Sequence, residues 1–478
     1  MGRALVGHVH EIVSRTMPSS PLHPLTEAPI TRRSLLGAAA GGAALLATRG
    51  LPAWARPVAF PAGLRQPGSL PFPGKPAGTP SMPEIEHIVV LMMENHSFDN
   101  LLGMVPHQVP GRGSVDGWQF KRGQPVNFNL DASGNKVIAT HMSSPCQLDG
   151  EPSQSWDASH ESYDSGLNDG FVKASGPVAM SFWDKTDIPF TYSLAEHFPI
   201  GERYFCSVLG QTFPNRAYLF AGTSQGRIND TLLTTPPANG TIWDRLDAHH
   251  IDWGIYYEPP SYPSFELVAG SDTPARMAKR VHTFSQFLSE VAAGRLKQFT
   301  FLDPNYGTTS EENPQDIQLG ERYIAQVVNA LMRAKTWSKT ALIINYDEHG
   351  GYYDHVPPPA ALAPDAIQPI LTPDDVPGAF DRYGFRVPLF VVSPWARAGY
   401  VSRVVQDHTS VLAFIERKWN LPAMTLRDAN AHPMTDYFNF RHAAFATPPK
   451  LAAAPKLGPG LAKCHAAGLN PPLSGGVS

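Results

Sequence analysis

Thr340-Ala341-Leu342-Ile343-Ile344-Asn345-Tyr346 runs straight into Asp347-Glu348-His349-Gly350-Gly351. The run is short, apolar and partly β-branched, and it stops at two carboxylates and a glycine pair. Those are the marks of a strand buried on both faces, as in a parallel sheet, with polar side chains delivered at its end. Ile85-Glu86-His87-Ile88-Val89-Val90-Leu91-Met92-Met93 repeats the pattern and runs into Glu94-Asn95-His96-Ser97-Phe98-Asp99. A third run, Arg386-Val387-Pro388-Leu389-Phe390-Val391-Val392-Ser393, reads the same way. Between the runs lie helical patterns. Gly320 to Ala334 sets Tyr323, Val327 and Leu331 on one face, and a second pattern covers Thr409 to Trp419. Strands alternating with helices predict an α/β layered fold around a mostly parallel sheet.

In open parallel sheets ligands bind beyond the carboxyl ends of the strands. Glu94, Asn95, Asp347 and Glu348 are therefore expected at one sheet edge, where oxygen ligands suit a divalent cation; Zn²⁺ and Ca²⁺ both accept such a set. Thr212-Phe213-Pro214-Asn215-Arg216 follows an apolar-aromatic stretch and precedes Ala217-Tyr218-Leu219-Phe220. Thr as a cap and Pro in the first turn predict a helix start at Thr212, a place that favours an anion. A hydroxyl beside a cation is a candidate nucleophile toward phosphorus, and a plain helix cap is the other reading.

The 478 residues carry 42% hydrophobic residues, enough for a sizeable core, and the 47 prolines and 40 glycines predict long loops. Net charge is −4; the first 55 residues hold five Arg against two Glu, a surplus of three, so the remainder carries −7. That argues against electrostatic capture of nucleic acid or of anionic membrane surfaces, though not against a zwitterionic or neutral lipid as substrate. Thr31-Arg32-Arg33-Ser34-Leu35-Leu36, an Ala/Gly-rich stretch and Ala53-Trp54-Ala55 form a twin-arginine-type export signal. The stretch is too short and Gly-rich for a membrane span, so no integral span is expected in the mature chain. The organisation read from sequence is an extension and signal over 1–55, a Pro/Gly-rich linker or arm over 56–83, a catalytic domain over 84–445 and a tail over 446–478. Of Cys146, Cys206 and Cys464, the preferred pair is Cys146–Cys206, leaving one thiol.

Together these segments resemble the bacterial phosphoesterase family that includes non-haemolytic phospholipases C, related plant phospholipases C and a respiratory-burst-inhibiting acid phosphatase. The resemblance rests on Ile85–Gly103, Trp156–Val172, Asp187 through Arg216, Asn345–Pro359, Gly384–Pro394 and Asp407–Ser410. It implies an alkaline-phosphatase-like α/β/α core. It implies that Glu94, Asn95, Asp347 and Glu348 bind the metal, with the Thr212 hydroxyl as further ligand and nucleophile. His160 and His355 fall where phosphate contact or proton transfer is expected; Arg216 is read as a clamp on its loop or on a carboxylate, and His408 as a support. Two positions depart from the family pattern. Asn313 stands where a histidine is expected, and Gln154 replaces another; an amide donates to phosphate but is no general acid. The implied activity is exported phosphodiester hydrolysis of a phosphatidylcholine-like lipid through a phosphothreonine. The alternatives are an acid phosphatase acting on monoesters and an exported metal-binding protein without turnover. The implied partners are the phosphate-ester substrate and the twin-arginine export machinery.

Overall fold

The computed structural model describes residues 63–146, 152–233, 235–261, 263–269, 277–456 and 464. Its centre is an eight-stranded sheet. In chain order the strands are β1 (His87–Met93), β2 (Ile200–Gly201), β3 (Trp253–Tyr257), β4 (Val281–Thr283), β5 (Phe299–Asp303), β6 (Thr340–Tyr346), β7 (Leu389–Val392) and β8 (Val401–Ser402). Their spatial order is β4-β3-β5-β1-β6-β7-β2-β8. The block from β4 to β6 is parallel throughout, β7 alone runs against its neighbours, and β2 and β8 return to the common direction. The third run read from sequence is thus the one reversed strand. It is buried on both faces like the others, so composition alone does not reveal its direction.

Every residue of β5, β6 and β7 is buried, which requires cover on both sheet faces. Two separate helix packs supply it. Thr212–Ala221 packs with Ile242–Ala248 and His408–Trp419, while Ile317–Arg333 packs with Pro189–His197 and Phe284–Ala292. The fold is a layered α/β domain with a large, mostly parallel sheet. Ile317–Arg333 starts three residues earlier than the pattern predicts because Asp316 accepts the Gln318 N–H as its cap. The other long helix starts at His408, where Asp407 and Ser410 form a capping box.

Residues 65–81 lie along the last helices. Arg65 donates to the Ala429 carbonyl at 2.8 Å, the Asn420 side chain bonds the backbone of Phe72, and Ser81 donates to the Arg417 carbonyl. At the other end the Ala452 N–H donates to Ser193 and Arg322 to the Pro455 carbonyl. The disulfide joins Cys146 to Cys464, 318 positions apart, with Cα atoms at 5.8 Å. This corrects the expected Cys146–Cys206 pair. Cys206 is a buried free thiol whose Sγ is held against the Val208 carbonyl, and Cys146 lies beside Asp316 at a helix start. Among the described residues no helix is long and apolar enough to cross a membrane. The export signal lies outside the described residues.

Candidate active site

Three neighbouring strands end in carboxylates. β5 closes on Asp303, β1 is followed by Glu94 and β6 by Asp347, and the register pairs Met93 with Tyr346. One guanidinium gathers all three. Arg216 reaches Glu94 at 3.0 Å, Asp347 at 3.0 Å and Asp303 at 3.5 Å, and it is fully buried. Tyr306 lies over the same guanidinium at 5.1 Å. Arg216 stands on the helix Thr212–Ala221, four residues after Thr212. Residues four apart share a helix face, so Thr212 lies on the same side of this helix as Arg216, one turn before it. Gln211, not Thr212, occupies the N-cap, without a side-chain bond; Thr212 is the first helical residue. The Phe213 N–H donates to Asp230 at 2.8 Å, so that carboxylate takes a free donor of this helix start.

The backbone fixes the carboxylates. Asp347 Oδ1 accepts the N–H of Asn95 at 3.1 Å and of Glu348 at 2.8 Å, and Glu348 Oε2 accepts from Gly350. Asn95 holds a left-handed φ of 62°, which Asn tolerates. A Cβ on Gly350 would meet the Asn95 carbonyl at 1.8 Å, so only glycine permits this approach. His408 Nε2 donates to the Asp347 carbonyl at 2.7 Å, leaving Nδ1 to accept from Tyr204. Burial pushes this imidazole down to about 3, so it stays neutral.

Electrostatically the cluster is overloaded with negative charge. Burial lifts Glu94 well above the usual carboxylate range, with Glu312 and Asp347 adding to it and Arg216 opposing. Burial and then Asp347 lift Glu348 in the same way. Glu312 is pushed up to about 7 by burial and by Asp347. Asp230 is exposed as a residue, yet its carboxyl is pushed up to about 6 by the protein packed around it and by Asp347. Asn95 Oδ1 and Glu348 Oε1 are buried without a hydrogen-bond partner. Surplus carboxylates and unpaired oxygens are the donor chemistry of a hard divalent cation. The Arg216 guanidinium lies between the Glu94 and Asp347 carboxylates and bonds both. Among the described residues the His/Cys/Asp/Glu group whose donor atoms all lie within 4.8 Å is instead His141, Asp184 and Asp187, a second possible metal site.

Of the residues singled out in the sequence, Glu94, Asn95, Asp347 and Glu348 are brought together, and Thr212 begins the helix that carries Arg216. Asn313 is at their edge, donating to the Gly350 carbonyl at 3.2 Å and accepting from Tyr352. The contacts of the two histidines lie elsewhere. His160 bonds the Trp156 carbonyl through Nδ1 at 2.7 Å. It lines a cavity of about 150 Å³ with Trp156, Tyr163, Val208, Leu209 and Arg382. His355 is clasped between Asp99 at 2.6 Å and Asp116 at 2.8 Å, and its ring is pushed up to about 9, Asp99 overcoming the effect of burial. The sequence reading missed Asp303, Asp230 and Glu312. Asp303 carried a usable signal, an apolar run Phe299 to Leu302 stopped by an acid.

Comparison with known proteins identifies the family. Residues 85–422 match the Phosphoesterase family. Phospholipase C B of Mycobacterium tuberculosis is 30% identical over 458 residues, 82% of this chain and 84% of that one. Non-specific phospholipase C1 of Arabidopsis thaliana is 30% identical over 392 residues, 75% of this chain and 71% of that one. Among solved structures, an alkaline phosphatase superfamily protein from Vibrio parahaemolyticus aligns over 79% of this chain and 74% of its own, at 10% identity and a TM-score of 0.39. With strands β1, β5 and β6 ending on one acidic cluster and the family match spanning the sheet, this chain belongs to the phosphoesterase family and is a hydrolase of phosphoric ester bonds.

Proposed function

We propose that the protein is a phospholipase C-type phosphodiesterase that uses Thr212 as nucleophile and forms a phosphothreonine intermediate. The observation that carries this reading is the meeting of Glu94, Asp303 and Asp347 on Arg216, one helical turn from Thr212. Glu94, Asn95, Asp347 and Glu348, with the Thr212 hydroxyl, are the residues that would hold a divalent metal, Zn²⁺ or Ca²⁺. When bound it supplies positive charge that lowers the pKa of a hydroxyl and stabilises charge on phosphate oxygens.

Thr212 Oγ attacks phosphorus in line, the alcohol leaves, and water then cleaves the phosphothreonine. Arg216 keeps Glu94 and Asp347 in place while the ester is exchanged. In this scheme Asn95 and Asn313 donate amide N–H groups to phosphate. Of the two histidines, His160 is the proton carrier in this scheme. Its Nδ1 is committed to the helix carbonyl of Trp156, and its Nε2 remains for the cavity wall that includes Leu209, three residues before Thr212. His355 has both nitrogens engaged and acts in this scheme by holding its loop.

The Thr212–Arg216 segment and the stretch Asp354-His355-Val356-Pro357-Pro358 resemble phospholipases C, which favours a diester over a monoester. The phospholipases C among the relatives support a phospholipid as substrate. The twin-arginine signal read in residues 1–55 supports export to the periplasm or beyond. Turnover of p-nitrophenyl phosphorylcholine against p-nitrophenyl phosphate, with and without a chelator, tests the whole reading. Faster turnover of the diester, lost with chelator and restored by Zn²⁺ or Ca²⁺, is expected. A monoester preference would move the protein to the acid-phosphatase reading, and no turnover of either would remove catalysis.

A further inference from the structure

The hairpin of Phe128–Leu130 and Lys136–Ile138 turns its apolar side outward. Side chains alternate along a strand, and a strand on a core ordinarily buries its apolar set. Here Asn129 is the inward residue of the first strand. It accepts the Phe171 N–H at 2.9 Å and donates to the Asn168 carbonyl, and these bonds fix the register. Phe128, Leu130 and Ile138 are left 39%, 39% and 47% exposed, with Val126 at 39% just ahead. Phe128 and Ile138 are cross-strand partners, so the exposed groups form one surface. Isolated exposed apolar residues need no explanation, but a contiguous patch locked outward by buried hydrogen bonds does.

The charges around it indicate the partner. In a chain of net charge −4, residues 119–141 carry Lys121, Arg122 and Lys136 against Asp131. Lys136 Nζ lies 4.0 Å over the Phe128 ring, and the Asp131 carboxylate is occupied by Asn135 and Ser133. Apolar side chains fringed by cations are the composition of a surface that seats in the headgroup layer of a phospholipid bilayer. The patch is also tied to the candidate active site. Asn129 holds Phe171, the Phe171 ring is 6.2 Å from His349, and His349 Nδ1 is 3.3 Å from Glu348.

We infer that this hairpin is a membrane-seating surface, through which Val126, Phe128, Leu130 and Ile138 enter a phospholipid interface while Lys121, Arg122 and Lys136 contact its phosphates. The inference rests on the reading that the substrate is a phospholipid. The test is co-sedimentation of the full chain with vesicles of phosphatidylcholine and phosphatidylglycerol, alongside turnover of soluble p-nitrophenyl phosphorylcholine. The triple variant Phe128→Ser, Leu130→Ser, Ile138→Thr should lose vesicle affinity by about tenfold or more, as expected when partly exposed apolar side chains no longer gain burial. Lys136→Glu should lose less, and its effect should vanish in high salt. Soluble turnover should stay at the wild-type level in both, since none of these residues belongs to the site. Wild-type chain that ignores vesicles, or a triple variant that binds them as the wild type does, overturns the inference. So does a triple variant that changes from oligomer to monomer without vesicles, which would make a second copy the occupant. Vesicle binding that depends on the hairpin without any lipid hydrolysis leaves the surface standing and removes the phospholipid as substrate.

Discussion

Two buried arginines organise this molecule, and they sit in opposite electrostatic states. Arg386 bonds Asp99 at 3.0 Å and Asp354 at 2.8 Å, with His355 joining Asp99 and Asp116 beside it. That clasp is complete: Asp99 is held below the usual carboxylate range by His355 and Arg386 against the opposing effect of burial, although burial still lifts Asp354. Arg216 faces Glu94, Asp303 and Asp347 with Glu348, Glu312 and Asp230 nearby, and all six are raised. A matched set of charges fastens loops together. An unmatched set with unpaired oxygens is a place prepared for something that arrives. The contrast separates a saturated network from an unsaturated one without reference to any motif.

Losing the proposed nucleophile is the strongest way to break the contrast. Thr212→Ala should lower kcat by at least about a thousandfold while leaving secondary structure and metal content as in the wild type. Full activity in that variant, measured on p-nitrophenyl phosphorylcholine, would take Thr212 out of the reaction. Next come the arginines themselves. Arg216→Met and Arg386→Met each strand buried carboxylates, and each should cost about 3–5 kcal/mol in urea unfolding. Only the Arg216 variant should regain stability when Zn²⁺ or Ca²⁺ is added, because only its carboxylates have oxygens to spare. Equal recovery in both variants would erase the distinction between the two clusters.

The smallest effect is the pH dependence of the clasp. His355 moves from an ordinary 6.5 to about 9 on folding. A raised folded pKa contributes stability that is fully present below about 6.5 and is lost as pH rises through about 9. The contribution should be on the order of 3 kcal/mol. Urea midpoints from pH 6.5 to 9.5 should fall in the wild type and flatten in His355→Gln. Parallel curves would show that His355 is not the group responsible.

How much of this was legible in the chain depends on where the partners lie. Glu94 and Asp347 were readable because each follows an unbroken apolar run, and a strand buried on both faces can deliver its last side chains to only one edge. Asp303 closes the same kind of run, but Phe299-Thr300-Phe301-Leu302 is aromatic and short, so it did not stand out. Asp230 sits in a loop and joins the cluster only because the helix start at Phe213 binds it, a contact no local pattern encodes. Arg216 was read as a clamp, but the three carboxylates it holds come from three distant stretches. The sulfur pairing was out of reach for a simpler reason. Spacing carries no information on which cysteines approach within bonding distance.

The link between Cys146 and Cys464 has a consequence for how the molecule comes apart. Both ends of the stretch between these two positions are fastened at one point, beside the start of Ile317–Arg333. A single proteolytic cut in any loop within that stretch produces no separate fragment while the sulfur bridge is intact. Pieces appear on a gel only after reduction, so damage to the exposed loops is hidden from any separation run under oxidising conditions.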